Sequence, residues 1–253
     1  MYVLATVGRP TACARRRSSS IVAAAAAARQ LSTRQDEVWR RYGAAPPVTA
    51  LDSCSVELVR QRLASAQRRG TPAHMRFKWK HSGTAAVMLL LCEVDGQVSL
   101  LLEERNHRLS SHGGEVCFAG GKCEPGESAE RAALRETFEE LGLPESAVEI
   151  VGEMHPVPNK ANTLQVHPLV GVVRGPLDLR LNRDEVHRAV VLPLAHFYDP
   201  AARSLVPFRS LDISIPTYTT DKPGLRIWGL TAFILYEFLC RIAAPASATL
   251  PRL

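Results

Sequence analysis

The sequence predicts an α+β protein in which a mixed β-sheet is sandwiched between helices (α/β/α). Candidate strands, a strong helix, further strands and a terminal helix follow one another along the 253 residues, an order typical of layered α and β architectures. The composition, 46% hydrophobic and 22% charged, excludes collagen, a coiled-coil rod and a wholly disordered chain. No apolar stretch approaches the roughly 20 uninterrupted residues of a membrane span, so we expect none.

The first elements are a helix and a hairpin. Residues 55–68 predict an amphipathic helix, because its apolar residues recur at helical spacing. These residues are Val56, Val59, Leu63 and Ala66. Residues 84–92 form a continuous apolar run that predicts a buried strand, and Asp95-Gly96 predicts a hairpin turn before a second strand over residues 98–103.

A stretch rich in glycine and polar residues, 106–127, leads to the strongest helix signal, residues 129–141. Ser128 is a suitable N-cap, and Gly142 followed by Pro144 ends the helix. The remaining segments predict strands over residues 148–154, 163–173 and 189–191 and a C-terminal helix over residues 227–244.

The positive charge lies at the N-terminus. Residues 1–34 hold six arginines and no acidic residue, which accounts for the net charge of +6. The rest of the chain is neutral overall, which argues against a nucleic-acid partner. An Arg-rich, Ser-containing, acid-free start is typical of a mitochondrial presequence, with a low-complexity tail as the alternative. We therefore predict a leader and linker over residues 1–46, a domain over 47–245 and a tail over 246–253. The predicted location is mitochondrial, with peroxisomal or cytoplasmic as alternatives.

The helix over residues 129–141 carries three carboxylates on one edge. At about 100° per residue, Glu136, Glu139 and Glu140 share that edge. Leu134, Phe138 and Leu141 share the opposite edge, which predicts that the helix packs on these apolar side chains. Like charges within one turn destabilise a helix, and a hard divalent cation with oxygen ligands removes the conflict. Small residues before the helix, among them Gly120 and Gly121, let the backbone approach a metal or a phosphate.

These residues resemble a known motif. Gly121-x5-Glu127-x7-Arg135-Glu136-x2-Glu139-Glu140-x-Gly142-Leu143 matches the Nudix box of the Nudix hydrolases, with Thr137 where the pattern has a large aliphatic residue. The resemblance implies the Nudix fold, a mixed sheet between helices. It also implies that Mg²⁺ or Mn²⁺ is bound by Glu136, Glu139, Glu140 and the carbonyl of Gly120. Arg135 would pair with Glu127 and hold the helix against the loop. The resemblance does not fix the catalytic base; Glu139 is our candidate, with Glu185 as an alternative that we expect to be an exposed charge.

Residues 101–121 resemble the signature of the coenzyme A diphosphatase subfamily. Four positions depart from it: Glu103 for Thr, Asn106 for Ser or Ala, Ser110 for Arg, and Ala119 for Pro. The substrate-binding residues that the resemblance and the nearby cations suggest are Arg105, Arg108, Gly114, Phe118, Gly121 and Lys122. The implied partner is a small molecule, and the implied reaction is hydrolysis of coenzyme A or its derivatives to 3′,5′-ADP and 4′-phosphopantetheine or an acylated form.

The loss of the arginine at Ser110 keeps other readings open. Another nucleoside diphosphate compound such as ADP-ribose or NADH is one alternative substrate, and a non-catalytic nucleotide-binding module is a further alternative. Phe118, Trp228 and Phe233 could line an acyl site or belong to the core.

Overall fold

The computed structural model describes residues 48–72, 82–207, 214–220 and 224–243. The predicted leader, 1–46, and the predicted tail, 246–253, lie outside these residues. The helices are α1 (Ser53–Arg68), α2 (Ala129–Leu141) and α3 (Gly229–Phe238), the last continued by a π-helical turn, Leu239–Ala243. The strands are β1 (Gly83–Val94), β2 (Gln97–Arg105), β3 (Val116–Cys117), β4 (Ala119–Lys122), β5 (Val148–Glu153), β6 (Val157–Pro158), β7 (Leu164–Val173), β8 (Val186–Pro193), β9 (Arg203–Pro207), β10 (Ser214–Thr219) and β11 (Arg226–Ile227).

The main sheet is mixed, as predicted. β1 pairs in parallel with β7 on one side and antiparallel with β2 and then β4 on the other. β2 also pairs with β3 and β8, and β7 with β5 and β6. A second sheet, in the order β11-β10-β9, was not predicted. The strands β3 and β4 lie within the glycine-rich stretch. Through them this stretch pairs with β2 and with β1.

The core surrounds β1, whose two faces are both buried. Met88 and Leu90 on one face pack in a cluster with Ala132 and Ala133 of α2. Leu89, on the other face, is also fully buried. A strand covered on both faces reads as a continuous apolar run rather than an alternating one, which explains the pattern at residues 84–92.

Several local predictions are confirmed. The four apolar residues predicted to line the first helix are all buried in α1. The hairpin turn has Asp95 at φ 52° and Gly96 at φ 72°, the left-handed conformations that a two-residue turn needs. In α2, the Ser128 hydroxyl accepts a hydrogen bond from the Arg131 N–H at 3.2 Å, and Gly142 ends the helix at φ 72°.

The packing face predicted for α2 is confirmed only in part: Leu141 is 1% exposed and Leu134 packs against the same core cluster, but Phe138 does not pack there. Phe138 is 56% exposed, whereas Ala132, Ala133 and Thr137 are buried on the side that also carries Glu140. The two alanines let the helix approach the sheet closely, so the carboxylate edge becomes the packed edge. Thr137 fits there because its hydroxyl donates to the Ala133 carbonyl at 2.7 Å.

Two further observations apply to the described residues only. No helix among them combines the length and the apolar character needed to cross a bilayer. Their cysteines, Cys54, Cys92, Cys117, Cys123 and Cys240, are free thiols.

Candidate active site

Arg135 ties α2 to the loop before it. Its Nε donates to Glu127 Oε1 at 2.9 Å and its Nη2 to Glu127 Oε2 at 3.0 Å, a bidentate pair. Nη2 also donates to the Lys122 carbonyl at 3.2 Å. The hydrogen bonds from Arg135, helped by the Glu124 N–H, lower the pKa of Glu127 to about 2. The predicted pairing of Arg135 with Glu127 is thus present in the structure, and its role in holding the helix against the loop stays a prediction.

The remaining N–H groups of Arg135 reach two of the predicted metal ligands. Nη1 donates to Glu136 Oε1 and to Glu139 Oε2, both at 3.0 Å. The Glu139 side chain is 49% exposed and that of Glu136 is 15% exposed. Burial raises the pKa of Glu136 despite the nearby guanidinium. The structure therefore gives these two acids a shared cationic partner within the chain.

The Glu140 side chain projects from α2 towards the sheet. Its side chain is 2% exposed, and its Oε2 accepts a hydrogen bond from the Gly120 N–H at 2.8 Å. Its Oε1 lies 3.7 Å from Arg105 Nη1. Burial, together with the negative charge of Glu103, raises the pKa of Glu140 to about 9. The N–H of Gly120 is thus engaged by the site, while ligation by its carbonyl stays a prediction.

Gly120 and Gly121 are required by close approach. A Cβ on Gly121 would collide with the Glu136 carboxylate, and a Cβ on Gly120 would collide with the Ala86 carbonyl. Carboxylate oxygens against a strand without side chains are the donor set and the cradle that suit a hard divalent cation. The residues therefore fit Mg²⁺ or Mn²⁺.

Two further acids belong to this region: the sequence interpretation gave Glu103 no role in the site and named Glu185 only as an alternative base. Glu103 is fully buried, its Oε1 accepts from Cys117 Sγ at 3.6 Å, and burial raises its pKa to about 7. Glu185 was expected to be an exposed charge, but it is partly buried. Its negative charge raises the pKa of both Glu103 and Glu136. The sequence signal for Glu103 was its position in β2, two residues after Leu101, which places both side chains on the same face of the strand.

The residues predicted to bind substrate separate into two groups. Arg105 is partly buried against Glu140, and its carbonyl accepts from the Gly114 N–H at 3.0 Å. Phe118 is only 3% exposed, so it packs in the core and supports the segment from within. Arg108 and Lys122 have exposed side chains, so both can reach a ligand.

A different cluster lies on the other face of β2. Glu104, His107 and His187 are, in the part of the chain that the structure describes, the one group of three with ligand atoms within 4.8 Å of one another. A register shift opposite Glu104 and Arg105 brings His187 and Arg188 towards this face. The Glu104 carboxylate already pairs with Arg188 and with His107, so its charge is balanced by the chain itself.

Comparisons with known proteins agree with this geometry. A family model described as NUDIX domain matches residues 82–209. "Nudix hydrolase 3" of Caenorhabditis elegans is 29% identical over 222 residues, covering 79% of this chain and 92% of the relative. The human "Mitochondrial coenzyme A diphosphatase NUDT8" is 38% identical over 194 residues, covering 73% of this chain and 75% of the relative. The mouse protein of the same name is 35% identical over 183 residues, covering 69% and 83%.

The family match includes the carboxylate helix, the loop tied to it by Arg135 and the strands that hold both. The chain therefore belongs to the Nudix hydrolase family.

Proposed function

We propose that the chain hydrolyses the diphosphate bond of coenzyme A or its derivatives, giving 3′,5′-ADP and 4′-phosphopantetheine or an acylated form. The observation that carries the proposal is the approach of Arg105 to Glu140, at 3.7 Å. It places the segment that resembles the coenzyme A signature against the carboxylates of the box. The human and mouse relatives named as mitochondrial coenzyme A diphosphatases support the same substrate.

The carboxylates would hold Mg²⁺ or Mn²⁺ through Glu136, Glu139 and Glu140, with the Gly120 carbonyl as a further ligand. When bound, such an ion lowers the pKa of a water molecule and neutralises charge that develops on phosphoryl oxygens. Glu127 acts indirectly, because its bidentate pair with Arg135 fixes the guanidinium that positions Glu136 and Glu139.

Glu139 is the base that we favour. Its carboxylate is half exposed, so solvent water can reach it, and only a shift away from Arg135 is needed to free an oxygen. Glu185 is the alternative, since it is partly buried close enough to raise the pKa of Glu136. If Glu139 is the base, Glu139→Gln should remove the acid limb of the pH–rate profile and Glu185→Gln should leave it in place. The opposite result would identify Glu185 as the base.

Two exposed cations can replace the arginine that the signature places at Ser110. The Arg108 guanidinium suits bidentate contact with the 3′-phosphate of coenzyme A, and Lys122 follows directly after Gly121. Gly114, at φ 76°, and Gly121 keep the backbone free of side chains beside the site. Ser110 is exposed and uncharged, which favours ADP-ribose or NADH as the alternative substrate.

Product analysis separates these substrates. The purified protein is incubated with Mg²⁺ and, separately, coenzyme A, acetyl-coenzyme A, NADH and ADP-ribose, and the products are identified by mass spectrometry. We expect 3′,5′-ADP from coenzyme A or its thioester as the fastest reaction. Faster cleavage of ADP-ribose would overturn the choice of substrate, and Glu140→Gln assayed in parallel controls for a contaminating hydrolase.

We also propose that residues 1–46 direct import into mitochondria and that residues 47–245 form the catalytic domain. The arginine-rich, acid-free composition of residues 1–34 supports the first proposal, as do the names of the human and mouse relatives. The family match over residues 82–209 lies within the proposed domain.

A further inference from the structure

The Glu103 side chain lies on the face of β2 that packs against α2, on the side of the box carboxylates. Alternate residues of a strand point to the same face, and Leu101, two residues earlier, packs in the cluster with Ala132 and Ala133 of α2. Arg105, two residues later, reaches Glu140 at 3.7 Å. The Glu103 side chain, between them, is therefore directed towards the region beneath Glu140.

The surroundings of Glu103 leave half of its carboxylate without a partner. The residue is 0% exposed. Its Oε1 accepts only a weak thiol donor, Cys117 Sγ, at 3.6 Å, and its Oε2 has no hydrogen-bond partner. Burying a carboxylate is costly unless it is paired or binds a cation.

The charges around Glu103 make the imbalance larger. Glu140, Glu136 and Glu185 are the acidic neighbours, and Arg105 is the cationic one. Arg135 is engaged by Glu127, Glu136 and Glu139. Arg105 also lies against Glu140, so Glu103 and Glu140 share one guanidinium. The resembled signature has Thr at this position, a smaller residue whose hydroxyl would add no charge. This chain instead adds an acid where acids already crowd.

We propose that Glu103 contributes its free Oε2 to the divalent-cation centre, as a fourth carboxylate beside Glu136, Glu139 and Glu140. The inference rests on the proposed metal-dependent function, and it assigns to this centre a residue outside the box. A bound dication gives the free oxygen the partner it lacks and balances the charge that Arg105 alone does not.

The test is a titration of the full chain with Mn²⁺. Binding is measured by calorimetry and by the electron paramagnetic resonance signal of the free Mn²⁺. The variants are Glu103→Gln, which keeps the shape, and Glu103→Thr, the residue of the signature. Glu93→Gln is the matched control, because Glu93 is an exposed carboxylate near the end of β1. We expect the two Glu103 variants to bind Mn²⁺ about 10-fold or more weakly than the wild type and the control to bind it unchanged. The thermal unfolding midpoints in EDTA should be equal to or above that of the wild type.

The outcomes distinguish this inference from the proposed function. Wild-type affinity in both Glu103 variants, with binding lost in Glu140→Gln, would overturn the role of Glu103 and leave the metal centre standing. Lower unfolding midpoints in EDTA would overturn it too, because Glu103 would then sustain the fold without a cation. Absence of Mn²⁺ binding by the wild-type protein would instead contradict the proposed metal-dependent function itself.

Discussion

Glu139 and Glu140 are adjacent in sequence but occupy opposite environments. The side chain of Glu139 is 49% exposed, and that of Glu140 is 2% exposed and bonded to the backbone of β4. Neighbouring residues of a helix point about 100° apart, so one faces water and the other faces the sheet. The two carboxylates are therefore suited to different tasks, Glu140 to fixed ligation and Glu139 to exchange with solvent.

We expect Glu140→Gln to leave the fold intact and to lower the rate of hydrolysis by at least about 100-fold, because even residues that only orient metal ligands cost 10–100-fold. The amide keeps an acceptor for the Gly120 N–H but loses the charge that a cation needs. Steady-state kinetics and thermal unfolding in EDTA check both parts. Full activity at an unchanged unfolding midpoint would show that Glu140 is not a ligand.

The buried acids also set a pH dependence for the metal-free protein. Burial raises the pKa of Glu140 to about 9 and that of Glu103 to about 7, from 4.5. Between the ordinary and the raised values the folded state holds more protons than the unfolded state, so the free energy of unfolding falls as the pH rises. The slope is about 1.4 kcal/mol per pH unit for each extra proton.

Urea unfolding in EDTA at pH 5, 6, 7 and 8 measures this dependence. Other groups titrate in the same range, so the comparison that matters is between the wild type and Glu140→Gln. The variant should show the flatter profile. A wild-type stability that rises with pH more steeply than that of the variant would contradict the burial of a protonated Glu140.

At the scale of elements, α2 shows which features of a helix the sequence predicts and which it does not. Its ends were predictable, because Ser128 and Gly142 act through local hydrogen bonds and backbone conformation. Its buried face was predicted only in part, because Leu134 and Leu141 pack in the core but Phe138, which helical periodicity places beside them, is exposed. The sheet instead receives Ala132 and Ala133, whose small size permits the close approach that places Glu140 over β4.

The short strands were harder still. β3 and β4 contain two and four residues, too few for an alternating pattern, and β4 includes Gly120 and Gly121. Their pairing with β2 and β1 is decided by the tertiary neighbours rather than by propensity. The position of Glu103 was not predicted for a related reason. The sequence interpretation compared Glu103 with the Thr of the coenzyme A signature, whereas its spacing of two residues from Leu101 and from Arg105 decides which face of β2 it lies on.

The strand β4 gives a direct test of the cradle. Gly121→Ala places a methyl group where the Glu136 carboxylate lies, so we expect the carboxylate to be displaced and Mn²⁺ affinity to fall by about 10-fold or more. Gly175→Ala is the control, because a Cβ there meets open space, so its effect comes from the positive φ of 88° and not from a collision. Calorimetric titration of both variants checks the effect. Equal Mn²⁺ affinity in the two variants would contradict the contact.

At the scale of the whole molecule, charge is distributed unevenly. The arginines of residues 1–34 account for the net positive charge, and the rest of the chain is neutral overall. A chain without excess charge in its body does not steer polyanions over long distances. Under the proposed function, recognition of a small anionic substrate would therefore depend on individual cations such as Arg105, which lies 3.7 Å from Glu140, and the exposed Arg108.

Removal of residues 1–34 tests the role of the basic segment. We expect the shortened protein, carrying a fluorescent tag at its C-terminus, to remain in the cytosol, while the full chain enters mitochondria. Fluorescence microscopy with a mitochondrial marker measures the change. The arginines can also be replaced by glutamine in the full-length chain, which separates charge from length. Identical distributions of all three proteins would rule out a targeting role for the segment.

The fork of Arg135 has one more consequence. One of its edges is locked to Glu127, and its other nitrogen holds Glu136 and Glu139 together. A cation that belongs to the chain thus already holds one oxygen of each of these two carboxylates. Under the proposed function, a dication would have to share both carboxylates with Arg135, which would lower the apparent affinity of the protein for the ion. Arg135→Lys should then raise the affinity for Mn²⁺ while weakening the connection between α2 and the loop.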